Sequence, residues 1–175
     1  MNKPTFSERD WNTRKNGDRA YFYYSETKFE EHWPGPCSHF GLSAETEGMA
    51  TYKMGAFMSH TPDYIAALTD QSQPILIEVQ GTGNGGAQNG TLVHKFKSKK
   101  LDALGKWNSI SETTFWLWND ADQTSIWTSY VSIRGMIAQG KATQGLFDGK
   151  RPYWALPVAT ILENADTERL MEKYG

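Results

Sequence analysis

The middle of the chain has the clearest alternation of apolar and polar positions. The segments YIAAL (64–68) and PILIEVQ (74–80) are short apolar runs separated by the polar stretch TDQSQ, which predicts a β-hairpin with a loose loop. After the glycine-rich stretch 81–90, the segment TLVHKFK (91–97) alternates as a strand does. We therefore predict three strands in this part of the chain.

A helix is predicted directly after the third strand. In SKKLDALGKWN (98–108), Leu101, Leu104 and Trp107 recur at helical spacing, and Ser98 is the expected N-cap. The later segments predict two aromatic strands around a turn, a short helix, a further strand and an exposed C-terminal helix: TFWLWN, SIWTSY, VSIRGMIAQG, RPYWALPV and ENADTERLMEKYG. This order indicates a single α/β domain with a central mixed β-sheet flanked by helices.

The first 60 residues are rich in aromatic and charged side chains but poorly periodic. The stretch YFYYSETKFEEHW (21–33) predicts a helix, which must end at Pro34, Gly35 and Pro36 because these residues do not fit a helix interior. We assign the segment 1–60 to the same domain as the rest of the chain, so the domain spans 1–175.

Composition narrows the class of protein. Among 175 residues there are seven Trp, eight Tyr and eight Phe, too many for a disordered chain. No apolar run approaches the ~20 residues needed to cross a bilayer, and the N-terminus lacks the apolar core of a signal peptide. The single cysteine, Cys37, excludes an intramolecular disulfide framework and is typical of a reducing compartment. We expect a cytoplasmic protein without membrane contact.

Charge argues against a generally basic, DNA-coating protein. The formal net charge is −2, from 18 basic and 20 acidic side chains. Contact with a polyanion must therefore come from a local segment, and the stretch 91–106 has five lysines and one acid, Asp102. A solvated helix face and a phosphate-binding surface explain this stretch equally well. The lysines are at positions 95, 97, 99, 100 and 106.

Two carboxylates are predicted to meet at one edge of the hairpin. Residues two apart on a strand share a face, so Glu78 and Gln80 project together, away from the apolar Ile77 and Val79. If the hairpin closes over residues 70–73, Asp63 lies roughly opposite Val79. Carboxylate and carboxamide oxygens are ligands that Mg²⁺ prefers. The alternative is structural: Asp63 as a turn residue and Glu78 as a paired, buried acid.

The sequence Pro62-Asp63, followed after fourteen residues by Glu78-Val79-Gln80 on an apolar strand, resembles the PD-(D/E)XK nuclease superfamily. The glycine-rich turn, the basic strand, the lysine-and-leucine helix and the aromatic strand that follow are similar to small phage-type or resolvase-like members. The resemblance covers about residues 61–130. It implies a restriction-endonuclease-like core and a DNA nuclease that depends on Mg²⁺ or Mn²⁺. Asp63, Glu78 and the backbone carbonyl of Val79 would then bind the metal, with Glu30 or Glu31 of the preceding helix as an additional acid.

One position departs from the superfamily pattern, because Gln80 stands where a lysine is expected. A glutamine can ligate a metal or hold a water, but it is neither a cation nor a base. Gln80 itself would then orient the attacking water, and Lys95 or Lys97 on the next strand would replace the missing cation. In the phosphate-binding interpretation of the lysine-rich stretch, Lys97, Lys99 and Lys100 would contact the DNA phosphates.

Gln80 and the net acidic charge also favour a rival hypothesis, a catalytically inactive protein of the same fold. It would act as a DNA-binding adaptor or as a structural or assembly component of a virion. The resemblance implies DNA as partner, with either a second copy of the chain or phage assembly proteins, in the host cytoplasm or the virion. A sugar- or ligand-binding module built on the tryptophans is a weaker alternative.

Two further patterns do not support a site. The glycines of GTGNGG (81–86) match GxGxxG, but the next element is a predicted strand and not the helix whose N-terminus would hold a pyrophosphate. A zinc site is disfavoured because no familiar ligand spacing is present among His32, Cys37, His39 and His60.

Overall fold

The computed structural model describes residues 25–35, 37–39, 61–67, 73–82, 87–88 and 90–174. The helices are α1 (25–32), α2 (Ser98–Asn108), α3 (Tyr130–Ala138), α4 (Val158–Leu162) and α5 (Ala165–Tyr174). The strands are β1 (Cys37–His39), β2 (Tyr64–Ala66), β3 (Ile75–Gly81), β4 (Ala87–Gln88), β5 (Thr91–Lys97), β6 (Thr113–Asn119), β7 (Thr124–Ser129), β8 (Thr143–Phe147) and β9 (Arg151–Pro157).

The described strands form two sheets. The central sheet has five strands in the order β1-β2-β3-β6-β7, and β3 runs parallel to β6 while the other pairs are antiparallel. The second sheet has four antiparallel strands in the order β4-β5-β9-β8. The predicted fold class, an α/β fold with a central mixed sheet flanked by helices, is confirmed.

The predicted hairpin is formed by β2 and β3. Tyr64 pairs with Ile77 and Ala66 with Ile75 in an antiparallel register. Asp63 directly precedes β2, so it lies at the end of the hairpin where β3 continues beyond its partner strand. The next predicted strand, β5, and the helix α2 also form where the sequence pattern placed them.

Apolar side chains cover both faces of the central sheet. The first cluster joins one face of β3, β6 and β7 to α1 and α5, through Phe29, Trp33, Leu170 and Tyr174. The second cluster lies on the opposite face, between the central sheet, the helices α2, α3 and α4, and the inner face of the second sheet. Its members are Phe96, Leu101, Leu104, Phe115, Leu117, Ile126, Ile133, Met136, Leu156 and Ile161. Trp116, Trp118 and Trp127 belong to the first cluster, so these tryptophans are core residues.

Several local predictions were wrong. Ser98 is the first residue of α2 and not its N-cap, because Lys97 stays in β5 to pair with Tyr153. The C-terminal helix is not simply exposed, since α5 buries Thr167, Leu170 and Tyr174. Strands β1 and β8 were not predicted.

Other predictions fall partly outside the described residues. Residues 21–24 of the predicted first helix, the domain assignment of 1–24 and 40–60, the side chain of His39 and the whole of His60 all lie there. Within the part of the chain that the structure describes, no helix is long and apolar enough to span a membrane. A strand, β5, follows the glycine-rich segment, which agrees with the rejection of a nucleotide-binding loop.

Candidate active site

Glu78 is a fully buried acid in the middle of the molecule. It lies on β3, and its side chain is inaccessible to solvent on the face opposite Ile77 and Val79. Its cationic neighbour is Lys100, in the first turn of α2, whose Nζ forms an ion pair with Oε1 of Glu78. An isolated buried carboxylate is strongly unfavourable, and the Lys100 ammonium reduces this cost when Glu78 is ionised.

Asp63 is held against the same strand by the backbone. The Val79 N–H donates to Oδ2 of Asp63 over 2.8 Å, which fixes the carboxylate beside residues 78–80. Asp63 is close enough to Glu78 to raise its pKa. The sequence prediction that the two acids converge at the end of the hairpin therefore agrees with the structure.

The charges at this site depend on one another. Burial raises the pKa of Glu78 well above 4.5, the carboxylate of Asp63 raises it further, and Lys100 opposes both effects. Burial lowers the pKa of Lys100, but the carboxylates of Glu78 and Asp63 outweigh burial, so its pKa is raised. The Lys100 ammonium therefore stays charged. When both acids are ionised, Asp63, Glu78 and Lys100 together have a net charge of one negative unit.

The donor set is suited to a hard divalent cation. Among the described residues no three His, Cys, Asp or Glu side chains cluster at a potential metal site, so the candidate ligands are two carboxylates and the backbone. A residue in a strand directs its N–H and C=O to the same edge, so the Val79 carbonyl faces the Asp63 side. Mg²⁺ commonly uses one or two carboxylates and completes its shell with water. These residues fit that requirement.

Gln80 shares the face of Glu78 and is partly buried. It pairs with Leu117 of β6, as Glu78 pairs with Phe115, so both side chains lie on the side of the second cluster. The predicted position of Gln80 beside Glu78 is thus observed. Its carboxamide can accept or donate a hydrogen bond near the carboxylates, but it supplies no charge.

The acids of α1 take different positions. Glu30 accepts a hydrogen bond of 2.7 Å from the Tyr64 hydroxyl, next in the chain to Asp63. Glu31 pairs instead with Lys28 at 3.1 Å on the outer side of the helix, so the structure does not bring it to the site. Glu26, one turn before Glu30, was not predicted. Burial and the hydrogen bond with Glu30 are the larger causes of the raised pKa of Tyr64, and the charge of Glu26 adds to them. The charge of Glu26 also adds to the larger effect of Glu78 and Asp63 on the pKa of Lys100.

Lys95 and Lys97 are not brought to Glu78. On β5 they alternate with His94 and Phe96, which are buried, and Phe96 contacts Phe115 in the second cluster. The two lysines therefore occupy the outer face of the second sheet. Their expected role as substitutes for the missing cation is not supported by this arrangement.

Lys100 occupies the position that was expected for Lys95 or Lys97. Its predicted contact, together with Lys97 and Lys99, is with DNA phosphates, and of these lysines only Lys99 is exposed. A signal for its inward direction does exist in the sequence. Lys100, Leu104 and Trp107 are spaced i, i+4 and i+7, and therefore share one face of the helix.

No protein-family model and no curated protein matches the chain. Among solved structures, the chain is similar to D212, a nuclease from a fusselovirus, with 16% sequence identity and a TM-score of 0.46 over 90% of this chain and 86% of that one. It is also similar to Hjc, a Holliday junction resolvase from the archaeal hyperthermophile Archaeoglobus fulgidus, with 9% identity and a TM-score of 0.45 over 91% and 98% of the two chains.

Proposed function

We propose that this protein is a divalent-metal-dependent nuclease that hydrolyses phosphodiester bonds in DNA. The observation that supports it is the convergence of Asp63, directly before β2, with Glu78 of β3 and Lys100 of α2. Two acids beside a lysine are what this chemistry requires, and Lys100 provides the cation that is missing at position 80. In this proposal Mg²⁺ or Mn²⁺ would be held by Asp63, Glu78 and the carbonyl of Val79.

Each residue has a defined task in the proposed reaction. A bound divalent cation supplies Lewis-acid activation of water and offsets phosphate charge. Hydrolysis forms a bond from the water oxygen to phosphorus and breaks the bond to the departing sugar oxygen, which takes up a proton. Lys100 stabilises the negative charge that develops on the phosphate, and the Gln80 carboxamide orients the water. Glu26 and Glu30 are candidates for the additional acid.

The experiment is a cleavage assay on supercoiled, linear, branched and single-stranded DNA, with Mg²⁺ or Mn²⁺ and with EDTA. Asp63→Asn and Glu78→Gln preserve size and remove charge, so both should abolish metal-dependent cleavage. Asp102→Asn is the matched control, because this acid of α2 is 71% exposed and pairs loosely with Arg134. Cleavage by both site variants at the rate of the parent protein would refute the assignment.

A catalytically inactive protein of this fold is the second candidate. The ion pair between Lys100 and Glu78 favours it, because a lysine already compensates the buried carboxylate without any metal. Under this hypothesis, the parent protein cleaves none of the four DNA substrates, and Mn²⁺ does not bind. The proposed nuclease requires the opposite result in both measurements.

A further inference from the structure

The outer face of the second sheet gathers cations around two aromatic rings. Lys97 on β5 pairs with Tyr153 on β9, and Arg151 on β9 pairs with Phe147 on β8. Residues directly opposite each other on antiparallel strands share a face, and Lys95 lies two residues from Lys97. We call Lys95, Lys97, Phe147, Arg151 and Tyr153 the basic face.

Three positive charges converge on one ring of the basic face. The Nζ atoms of Lys95 and Lys97 each lie 5.9 Å from the centroid of Phe147, and the Arg151 guanidinium lies 5.7 Å from it. Lys95 is also 5.2 Å from the centroid of Tyr153, whose ring packs on Phe147 at 4.4 Å. The cations therefore meet at a small aromatic surface and not at scattered positions.

The backbone of β8 and β9 is shaped to hold these rings. A Cβ at Gly145 would clash with the Tyr153 ring, so the glycine lets that ring lie across β8. The turn residues Asp148 and Gly149 have φ of 52° and 67°, and Lys150 N–H donates to the Phe147 carbonyl over 3.0 Å. Only Asp148, Gly149 and Lys150 separate the two strands, and this short connection sets Arg151 directly opposite Phe147.

The basic face brings three positive charges into a small area. Contacts with an aromatic ring stabilise an exposed cation only modestly, and the cations repel one another. Asp148 accepts from Arg151 at 2.9 Å and offsets one charge. The chain as a whole has a net charge of −2, so this concentration of positive charge is a local feature.

We propose that the basic face binds nucleic acid, with Lys95, Lys97 and Arg151 contacting phosphates and Tyr153 stacking on a base or sugar. Cations interleaved with flat rings are the combination that single-stranded nucleic acid binds, through backbone charge and stacking together. An acidic peptide would satisfy the charges but would leave the rings without a stacking partner. The inference rests on the proposed function only in taking DNA as the ligand.

The basic face is separate from the candidate active site. Phe96, between Lys95 and Lys97 in sequence, faces the second cluster and the Glu78 side of the central sheet, whereas the two lysines face away. A nucleic acid bound at both places must therefore pass around the second sheet. This arrangement suits a long or branched substrate with one segment outside the cleavage site.

The test measures binding of fluorescein-labelled DNA to the full chain in EDTA, so that cleavage does not interfere. A branched DNA and a single strand are titrated at several salt concentrations. The double variant Lys95→Ala, Arg151→Ala should raise the Kd at least ~10-fold and lower the salt slope by about 2, because two phosphate contacts are lost. Tyr153→Leu should weaken single-strand binding by about 10-fold with an unchanged slope.

Controls keep the outcomes distinct. Lys173→Ala removes an exposed charge from α5 and should change neither the Kd nor the slope. The charge-preserving Lys95→Arg, Arg151→Lys protein should retain the slope of the parent, which separates charge from folding if the alanine variant is unstable. Unchanged binding by the alanine variant, absence of DNA binding by the parent, or equal competition by polyglutamate would each overturn the proposal.

Together with the cleavage assay, this binding experiment distinguishes failure of the binding face from failure of the nuclease. Salt-dependent binding at the basic face without metal-dependent cleavage would refute the nuclease and keep the binding face. Cleavage that depends on Glu78, with an affinity that is indifferent to Lys95 and Arg151, would refute the binding face and keep the nuclease.

Discussion

Lys100 on α2 forms an ion pair with Glu78 at the centre of β3, and this contact joins the first turn of a helix to a fully buried strand position. The Lys100 side chain is 25% exposed, so it is open to solvent on one side while its charge is directed to the interior. A lysine on a helix therefore stands beside the carboxylates, while the neighbouring strand position is a glutamine.

The first prediction concerns this lysine. Lys100→Met should lower the single-turnover rate of DNA cleavage by ~10²-fold or more, since it removes a cation that stabilises charge in the transition state. Lys106→Met, at the other end of the same helix, is the matched control and should cleave at the parent rate. Adding Gln80→Lys to Lys100→Met should restore part of the rate. A Lys100→Met protein as fast as the parent would exclude this role.

Metal binding can be tested without any DNA. Mn²⁺ should raise the Tm of the parent protein, because a ligand that binds only the folded state stabilises it by about 2.7 kcal/mol at a concentration of 100 Kd. Asp63→Asn and Glu78→Gln should each lose this increase. Asp102→Asn should keep it, because its carboxylate is on the exposed side of α2. Equal increases in all four proteins would place the metal elsewhere.

The raised pKa of Glu78 predicts an unusual dependence of stability on pH. A folded-state pKa above the ordinary 4.5 means that the folded protein holds this proton more tightly than the unfolded chain. The corresponding stabilisation is complete below pH 4.5 and is lost as pH rises through the folded pKa. In EDTA, the free energy of unfolding of the parent should therefore fall relative to Glu78→Gln as pH rises.

Lys100 affects the same titration, which provides a check. Because Lys100 lowers the pKa of Glu78, the Lys100→Met variant should lose this stabilisation at a higher pH than the parent. Urea unfolding at a series of pH values measures both effects. If the parent instead gains stability over Glu78→Gln as pH rises, the ion pair outweighs the cost of burial, and the assigned direction is wrong.

His94 predicts a second dependence on pH, of opposite sign. Its ring is buried, its Nε2 lies 2.8 Å from Oδ1 of Asn119, and burial lowers its pKa from 6.5 to about 4 despite that contact. The neutral ring stabilises the fold fully above pH 6.5, and this contribution of about 3 kcal/mol is lost as pH falls toward 4. His94→Gln should remove this component from the urea-unfolding profile. The exposed His32→Gln should leave it in place, and an identical profile for His94→Gln would contradict the assignment.

The strands of the site could be predicted from sequence because their periodicity is local. Alternation over 75–81 places Glu78 opposite Ile77 and Val79 whatever the rest of the fold does. The hairpin length then fixes Asp63 near the same strand. These two acids needed no information from distant parts of the chain.

The cation could not be predicted in the same way. Alternation on β5 puts Lys95 and Lys97 on one face, but only the pairing of β5 with β9, in a second sheet, determines that this face is the outer one. The direction of Lys100 depends on how α2 packs on the central sheet, which is a tertiary contact. Glu26 is likewise near Lys100 through the packing of α1.

The position of Lys100 on a helix has a consequence for recognising proteins of this type. A search pattern that demands a lysine two residues after the strand glutamate rejects this chain at Gln80 and discards it as inactive. A pattern that also accepts a lysine in the first turn of the next helix, in phase with its apolar residues, retains the chain. In sequences that lack the strand lysine, the first turn of the following helix should therefore be checked for a lysine on its apolar face before the protein is classified as inactive.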